Sequence, residues 1–276
     1  AAPTTAPAAA PTTAPAAAGK RIKIGITQNN VGIDSYQTTY DKVFREVSSK
    51  RTDIDTIVLD AGGDVMRQIN QIEDLMAQKV DVIIIWPVDG TAVVPAVEKA
   101  HNAGFKVIIT NSPIDKTGLR FVKGFSGPDN VLEGKYAGEM MVEALGQKGG
   151  KIVEIMGLPG YVTAAERSEG FRSVIKDHPQ VVLLESQPGD WNREKAQRVM
   201  ENFLLKYAEL DGVYAADDNM AVGAINAIKE AGRLDKIKIT SACMFADGYD
   251  AMKRGELMGT VEQSPAKDAT NAFEMA

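Results

Sequence analysis

Nine residues of this 276-residue chain combine types that could do chemistry together: Gln28, Asn29, Tyr36, Trp86, Asn111, Arg167, Trp191, Asp217 and Gln263. Planar amides and carboxylates exchange paired hydrogen bonds with neighbouring hydroxyls. Arginine donates in a fixed fork, and flat aromatic faces cover the C–H side of a ring. Such a set holds a neutral, polyhydroxylated molecule; it does not break bonds. The signatures of bond-breaking are missing. No G-x-G-x-x-G follows a hydrophobic run, so the dinucleotide fingerprint is absent. Gly134-Lys135 is followed by Tyr136 and preceded by Asp129 where a phosphate loop needs Ser or Thr and Gly. Gly124 to Pro128 imitates a nucleophile elbow but carries Pro128 in place of the second Gly. The single Cys243 excludes an internal disulfide and a cysteine-based zinc site, and His101 and His178 lie far apart. Each near miss reads as a turn. No enzyme activity, cofactor or metal is expected, although an acid/base pair of carboxylates is an arrangement the sequence leaves open.

The elements that must position these residues alternate strand with helix. Ten short β-branched runs fall at Ile22–Thr27, Ile54–Asp60, Val82–Trp86, Phe105–Thr110, Arg120–Phe125, Ile152–Met156, Val181–Ser186, Gly212–Ala216, Ile237–Ser241 and Leu257–Val261. Nearly continuous apolar runs such as VIIIW read as strands buried on both faces, hence a parallel sheet. Between them, Val65, Ile69, Ile72 and Met76 share one helical face. A longer helix is expected from Pro128, at a first-turn position, to Gln147, ahead of Gly149-Gly150. Ten strands exceed one doubly wound sheet, so the fold class is α/β with two Rossmann-like lobes, each a parallel sheet flanked by helices. In such sheets ligands bind beyond the carboxyl ends of the strands. Trp86 ends a core strand and reads equally as core or as ligand wall. Trp191 sits in the polar stretch QPGDWNRE, where ligand contact is the better account.

Composition fits this picture. With 31 basic and 37 acidic residues the net charge is −6, which argues against nucleic acid as partner. No uncharged apolar run approaches the ~20 residues a membrane helix needs. Residues 1–18 contain only Ala, Pro and Thr, with APTTAPAA at 2–9 repeated at 10–17. Residues 1–19 are therefore expected to be a disordered tether, since prolines deny a helix its hydrogen bonds and nothing there can be buried. The segment has neither initiator Met nor signal core, so the chain looks already processed. A repeated neutral spacer suits a lipoprotein at the cell surface, although the anchoring cysteine is not in this sequence.

From Lys20 onward the chain resembles the periplasmic sugar-binding proteins of the ribose/galactose-binding type, the soluble receptors of ABC importers. The resemblance lies in SGPDNVLEGKYAGE at 126–139, GLPGYVTAAERSEGF at 157–171, SQPGDWNREKA at 186–196, AADDNMAVGAINAI at 215–228 and GTVEQSP at 259–265. It implies a multi-strand hinge between an N-terminal lobe (20–125 plus 263–276) and a C-terminal lobe (126–262). Members of that family continue with a further strand and crossing segment, so either the sequence is cut short at Ala276 or this member lacks an edge element of its lobes. The ligand residues it implies are Asn29, Tyr36, Trp86, Asn111, Ser112, Arg167, Trp191, Asp217, Cys243 and Gln263. Arg167 would reach ring and hydroxyl oxygens; its competing reading is a helix-surface arginine pairing with Glu166 or Glu169.

The departures from ribose binders bear on the ligand. Where those show Asp-Arg after the fourth strand, this chain has Asn111-Ser112; where they carry Phe-Asp after the ninth, it has Ala242-Cys243. Trp86 replaces a small polar residue. Ribose is thus disfavoured, and another monosaccharide, hexose or pentose, is the expected ligand. Cys243 reads as a pocket or core residue rather than a nucleophile. The resemblance further implies a membrane permease as partner, an extracytoplasmic location and hinge closure on the sugar; a monomer is expected. Three alternatives stand beside it: a LacI-type effector-sensing domain, which has the same two-lobed core, a chemoreceptor-coupled sugar sensor, and a Rossmann-like enzyme, weakened by the missing cofactor fingerprints. The Ala/Pro/Thr tail stands where a repressor has its DNA-binding headpiece, which weakens the first.

Overall fold

The computed structural model describes residues 21–276; the tether expected at 1–19 lies outside the described residues. The first sheet contains β1 (Ile22–Gln28), β2 (Ile54–Asp60), β3 (Val82–Ile85), β4 (Lys106–Thr110) and β5 (Gly124–Ser126), in the order β2-β1-β3-β4-β5. The second contains β6 (Gly150–Met156), β7 (Val181–Pro188), β8 (Gly212–Ala215), β9 (Lys238–Cys243) and β10 (Gly259–Glu262), in the order β10-β9-β8-β6-β7. All pairings are parallel. The two sheets are wound alike: each begins with an inner strand, places the next at the edge, then reverses direction. The reversal falls between β1 and β3 in one sheet and between β6 and β8 in the other, and at such a switch point neighbouring loops part to leave a crevice.

The run at β3 shows why the sheet is parallel. Ile83 and Ile85 join a core on one face with Ile72, Leu75 and Val97, while Val82, Ile84 and Trp86 join a core on the other with Tyr40 and Phe44. With both faces apolar, helices must cover both. Those of the first half are α1 (Ser35–Ser49), α2 (Val65–Ala77) and α3 (Val94–Asn102); those of the second are α4 (Asn130–Leu145), α5 (Val162–Lys176), α6 (Arg193–Lys206), α7 (Asp218–Glu230) and α8 (Ala246–Lys253). The last helix, α9 (Pro265–Met275), returns to pack on α1 and β5. The chain thus passes between the sheets after β5 and again after β10.

Side-chain caps fix most helix starts. Asp34, Asp64, Asp129, Asn192, Asp217 and Ser264 each accept a hydrogen bond from a first-turn backbone N–H. Two expectations are corrected here. The run Arg120–Phe125 is not one strand: residues 116–121 form a 3-10 helix, and β5 starts at Gly124. The Asp115 carboxylate holds the Thr117 N–H, and Phe121 is drawn into the core, so the chain stays coiled until it has passed that anchor. The long helix begins at Asn130 rather than Pro128, because Asp129 caps it through the Leu132 N–H at 2.9 Å and leaves the proline outside. In α2 the shared face also holds Gln68 and Leu75, both buried, while Val65, Ile69 and Met76 are half-buried. α4 and α5 cross so closely that a Cβ on Gly134 would lie 2.1 Å from the Arg167 carbonyl oxygen. Glycine is required there, and the contact seats Arg167.

Candidate ligand-binding site

Every residue lining the cavity between the two halves stands at or beyond the carboxyl end of a strand. Asp34, Tyr36 and Gln37 follow β1, Trp86 follows β3, and Asn111 follows β4. From the other half come Tyr161, Thr163 and Arg167 after β6, Trp191 after β7, Asp217 after β8, Cys243 and Phe245 at and after β9, and Gln263 after β10. Eight of the ten residues expected from the sequence lie on this wall. Asn29 and Ser112 do not. They bridge the halves instead: the Asn29 amide donates to the Tyr161 hydroxyl, and Thr163 Oγ1 donates to Ser112 Oγ at 2.9 Å. Gln28 is buried below the wall, donating to Asp41 at 2.7 Å.

The sequence reading missed Gln37, Tyr161, Thr163 and Phe245, and placed Asp34 only loosely in the first loop. Signals for three of them were present. Thr163 is one helical turn before Arg167 and shares its face. Asp34 is the N-cap of the helix that carries Tyr36, and Gln37 follows that tyrosine. Tyr161 and Phe245 sit in irregular loops, where no periodicity marks a side chain as facing the cavity.

Arg167 organises the second half of the wall. It is buried on α5 and its Nη atoms make three hydrogen bonds and one ion pair: Nη1 donates to the Ala216 carbonyl at 2.8 Å and to Cys243 Sγ at 3.2 Å. Nη2 donates to Gln263 Oε1 at 2.8 Å and pairs with Glu133 Oε2 at 2.7 Å. The partner is therefore Glu133 of α4, not the neighbouring Glu166 or Glu169. Burial opposes the charge on Arg167, but Cys243 and Glu133 outweigh it and hold the pKa above its ordinary value. Of these two, Glu133 is the true counter-charge, because burial pushes the Cys243 thiol well up and keeps it protonated. The Trp191 ring lies beneath the guanidinium, 5.6 Å from centroid to Cζ, and beside Tyr161 at 6.5 Å. A Cβ on Gly157 would meet that ring at 2.0 Å, so only glycine lets the indole lie flat against β6.

The first half presents aromatic faces. Trp86 contacts Tyr36 edge-on at 6.0 Å and Tyr40 at 4.8 Å, and is thus both a core residue and a wall residue. Three buried polar atoms on the wall have no hydrogen-bond partner among the described residues: Gln37 Oε1, Trp86 Nε1 and Arg167 Nε. Each costs stability unless a ligand or water satisfies it. Backbone strain gathers here too. Asn111, Trp191 and Cys243 carry φ of 57°, 59° and 92°, in the left-handed region that non-glycine residues avoid.

Carboxylates set the field. Burial raises the Asp217 pKa to about 7, only partly offset by the Met220 N–H that its side chain caps. Burial likewise raises Asp34, against the N–H groups of Gln37 and Tyr36. Since Arg167 is already paired with Glu133, Asp34 and Asp217 face the cavity with no cation of their own among the described residues. The cavity itself is about 50 Å³, room for a few waters and too small for a sugar ring. The Asn29–Tyr161 and Ser112–Thr163 bridges join the halves beside it.

Among the described residues no group of His, Cys, Asp or Glu could hold a metal ion, and no helix is long and apolar enough to cross a membrane. Residues 24–276 match a family described as a periplasmic binding protein domain. The ribose import binding protein of Salmonella typhimurium is 33% identical over 220 residues, 80% of this chain and 72% of that protein. The galactofuranose-binding protein of Escherichia coli is 36% identical over 216 residues, 75% of this chain and 67% of that protein. Among solved structures, an ABC transporter solute binding protein from Bacillus halodurans with bound myo-inositol shares the fold at a TM-score of 0.88 and 28% identity, covering 94% of this chain and 88% of that one. With two like-wound parallel sheets closing their switch points on one aromatic, carboxylate-bearing cavity, this chain belongs to the periplasmic binding protein family.

Proposed function

We propose that this protein captures a monosaccharide, hexose or pentose but not ribose, between its halves and hands it unreacted to the permease of an ABC importer outside the cytoplasm. What carries the reading is the wall itself: Trp86, Tyr36, Tyr161 and Trp191 as flat faces, with Asp34, Asp217, Asn111, Gln37 and Arg167 Nε as hydroxyl partners. Relatives named for ribose and galactofuranose support it. The lobes we take to be 20–125 with 263–276, and 126–262, moving about the segments after β5 and β10. Periplasmic binding proteins are a known instance of hinge closure around a ligand. Contacts available only in the shut state drive the halves together. Asp217 is engaged as a helix cap and Cys243 is a protonated, buried thiol, so neither is an activated nucleophile. The protein acts as a monomer, without nucleic acid, held at the surface as a lipoprotein by its Ala/Pro/Thr tether.

The test is a thermal-shift and calorimetric screen of the monomeric protein against pentoses, hexoses and polyols, with chromatography of the recovered sugar. One or more sugars other than ribose should raise the melting temperature and be recovered unchanged. No response across the set, ribose as the tightest binder, or any turnover overturns the reading.

A further inference from the structure

Asp268 stands behind the wall, on α9, buried at 6% exposure, where it collects donors from three elements of the first half. The Tyr36 hydroxyl donates to Oδ2 at 3.1 Å, Asn111 Nδ2 to the same oxygen at 3.0 Å, and Ser126 Oγ to Oδ1 at 3.4 Å. An ionised carboxylate only accepts. Burial raises the Asp268 pKa to about 6 while these donors oppose it, so the group is a carboxylate at neutral pH.

The consequence reaches the cavity through the two wall residues it holds. Asn111 makes this one side-chain hydrogen bond among the described residues, which uses one of the two N–H groups and turns the nitrogen toward α9, leaving the carbonyl oxygen to accept. Tyr36 spends its only proton on Asp268 and keeps only lone pairs. Where ribose binders carry an acid after the fourth strand, this chain has Asn111, and the negative charge stands one step behind it. An amide is ambivalent in itself, able to offer either end; a carboxylate behind it fixes which end turns toward α9.

We propose that Asp268 is a positioning residue that holds the Asn111 amide nitrogen toward α9 and takes the Tyr36 proton, so that this corner presents the Asn111 carbonyl oxygen and the Tyr36 lone pairs and selects a ligand that brings a hydroxyl donor to it. The proposal rests on the sugar-binding reading for its ligand but not for its geometry, and the experiment separates the two. In sugar-free protein at pH 7.5, NMR should detect a through-hydrogen-bond coupling between Asn111 Nδ2 and Asp268 Cγ; its absence overturns the proposal. Calorimetry then compares D-galactose, L-arabinose and D-xylose with their monodeoxyfluoro analogues, because fluorine cannot donate. For whichever parent sugar binds, one fluorinated position should weaken wild type about tenfold or more. In Asp268→Asn, whose amide can donate and lets Asn111 turn round, that penalty should shrink to about threefold or less. A merely structural role would weaken parent and analogue alike and leave the ratio unchanged, which overturns the proposal, as does wild type with no fluorine penalty. If none of the three sugars binds wild type, the sugar reading fails for them and the coupling alone decides the geometry.

Discussion

Arg167→Met takes the guanidinium out of a buried network and exposes how the second half of the site is held. The side chains of Arg167 and Glu133 are 3% and 7% exposed and lie 2.7 Å apart. Removing the cation leaves Glu133 buried without its counter-charge, at about 3–5 kcal/mol. It also strips a donor from the Ala216 carbonyl and from Gln263 Oε1, about 1–3 kcal/mol where the group stays dry. These costs overlap, so a total near ~4 kcal/mol is expected, a large part of the ~5–15 kcal/mol that holds a typical domain. Glu133→Gln alone should cost less, because Arg167 keeps its bonds to Ala216, Cys243 and Gln263. The informative variant is the double one. Arg167→Met with Glu133→Gln contains no buried charge from the pair and should regain about 2 kcal/mol over Arg167→Met. Urea unfolding followed by circular dichroism and tryptophan fluorescence at pH 7.5, with m-values compared, measures all four corners of the cycle. Arg167→Met within about 1 kcal/mol of wild type, or a double variant no better than the sum of the singles, would falsify the account of Arg167 as the counter-ion of Glu133.

Three further outcomes are expected. Trp191→Ala removes the wall between Tyr161 and Arg167 and should abolish any sugar-induced thermal shift while costing about 3–5 kcal/mol of stability; a retained shift places the sugar elsewhere. Tyr161→Phe deletes the hydroxyl that accepts from Asn29 and should weaken sugar affinity several-fold through a less stable shut form, read by calorimetry, with unchanged affinity counting against that bridge. Stability of the sugar-free protein should fall as pH rises from about 4 to 7. Asp217 near 7, with Asp218 and Asp268 near 6, keeps protons that the unfolded chain, at the ordinary aspartate value of 3.8, has already released. Each such proton contributes a slope of about −1.4 kcal/mol per pH unit within its window. Urea midpoints at pH 5, 6, 7 and 8 test the sign, and Asp217→Asn should flatten the upper part; a flat or rising wild-type profile contradicts the burial of these acids.

The sequence by itself determined the two parallel sheets and most of the wall. Runs such as VIIIW can be satisfied only by cover on both faces, and the residues just after such strands must meet at one end of a parallel sheet, which is why Trp86, Asn111, Trp191 and Asp217 could be named in advance. The start of α4 was misread at Pro128, where Asp129, the residue that caps the helix, was the stronger signal. Residues 116–121 escaped because a β-rich composition does not reveal that Asp115 and Phe121 pin the segment at both ends. Tertiary structure alone decided which long-range partners each polar group took. Arg167 faces Glu133 rather than Glu166, Asn29 and Ser112 clasp the opposite half rather than line the cavity, and Asp268 sits behind Asn111 across 157 positions of chain. Strand periodicity is a local property written every second residue, whereas a buried charge or amide is satisfied by whatever the fold brings beside it.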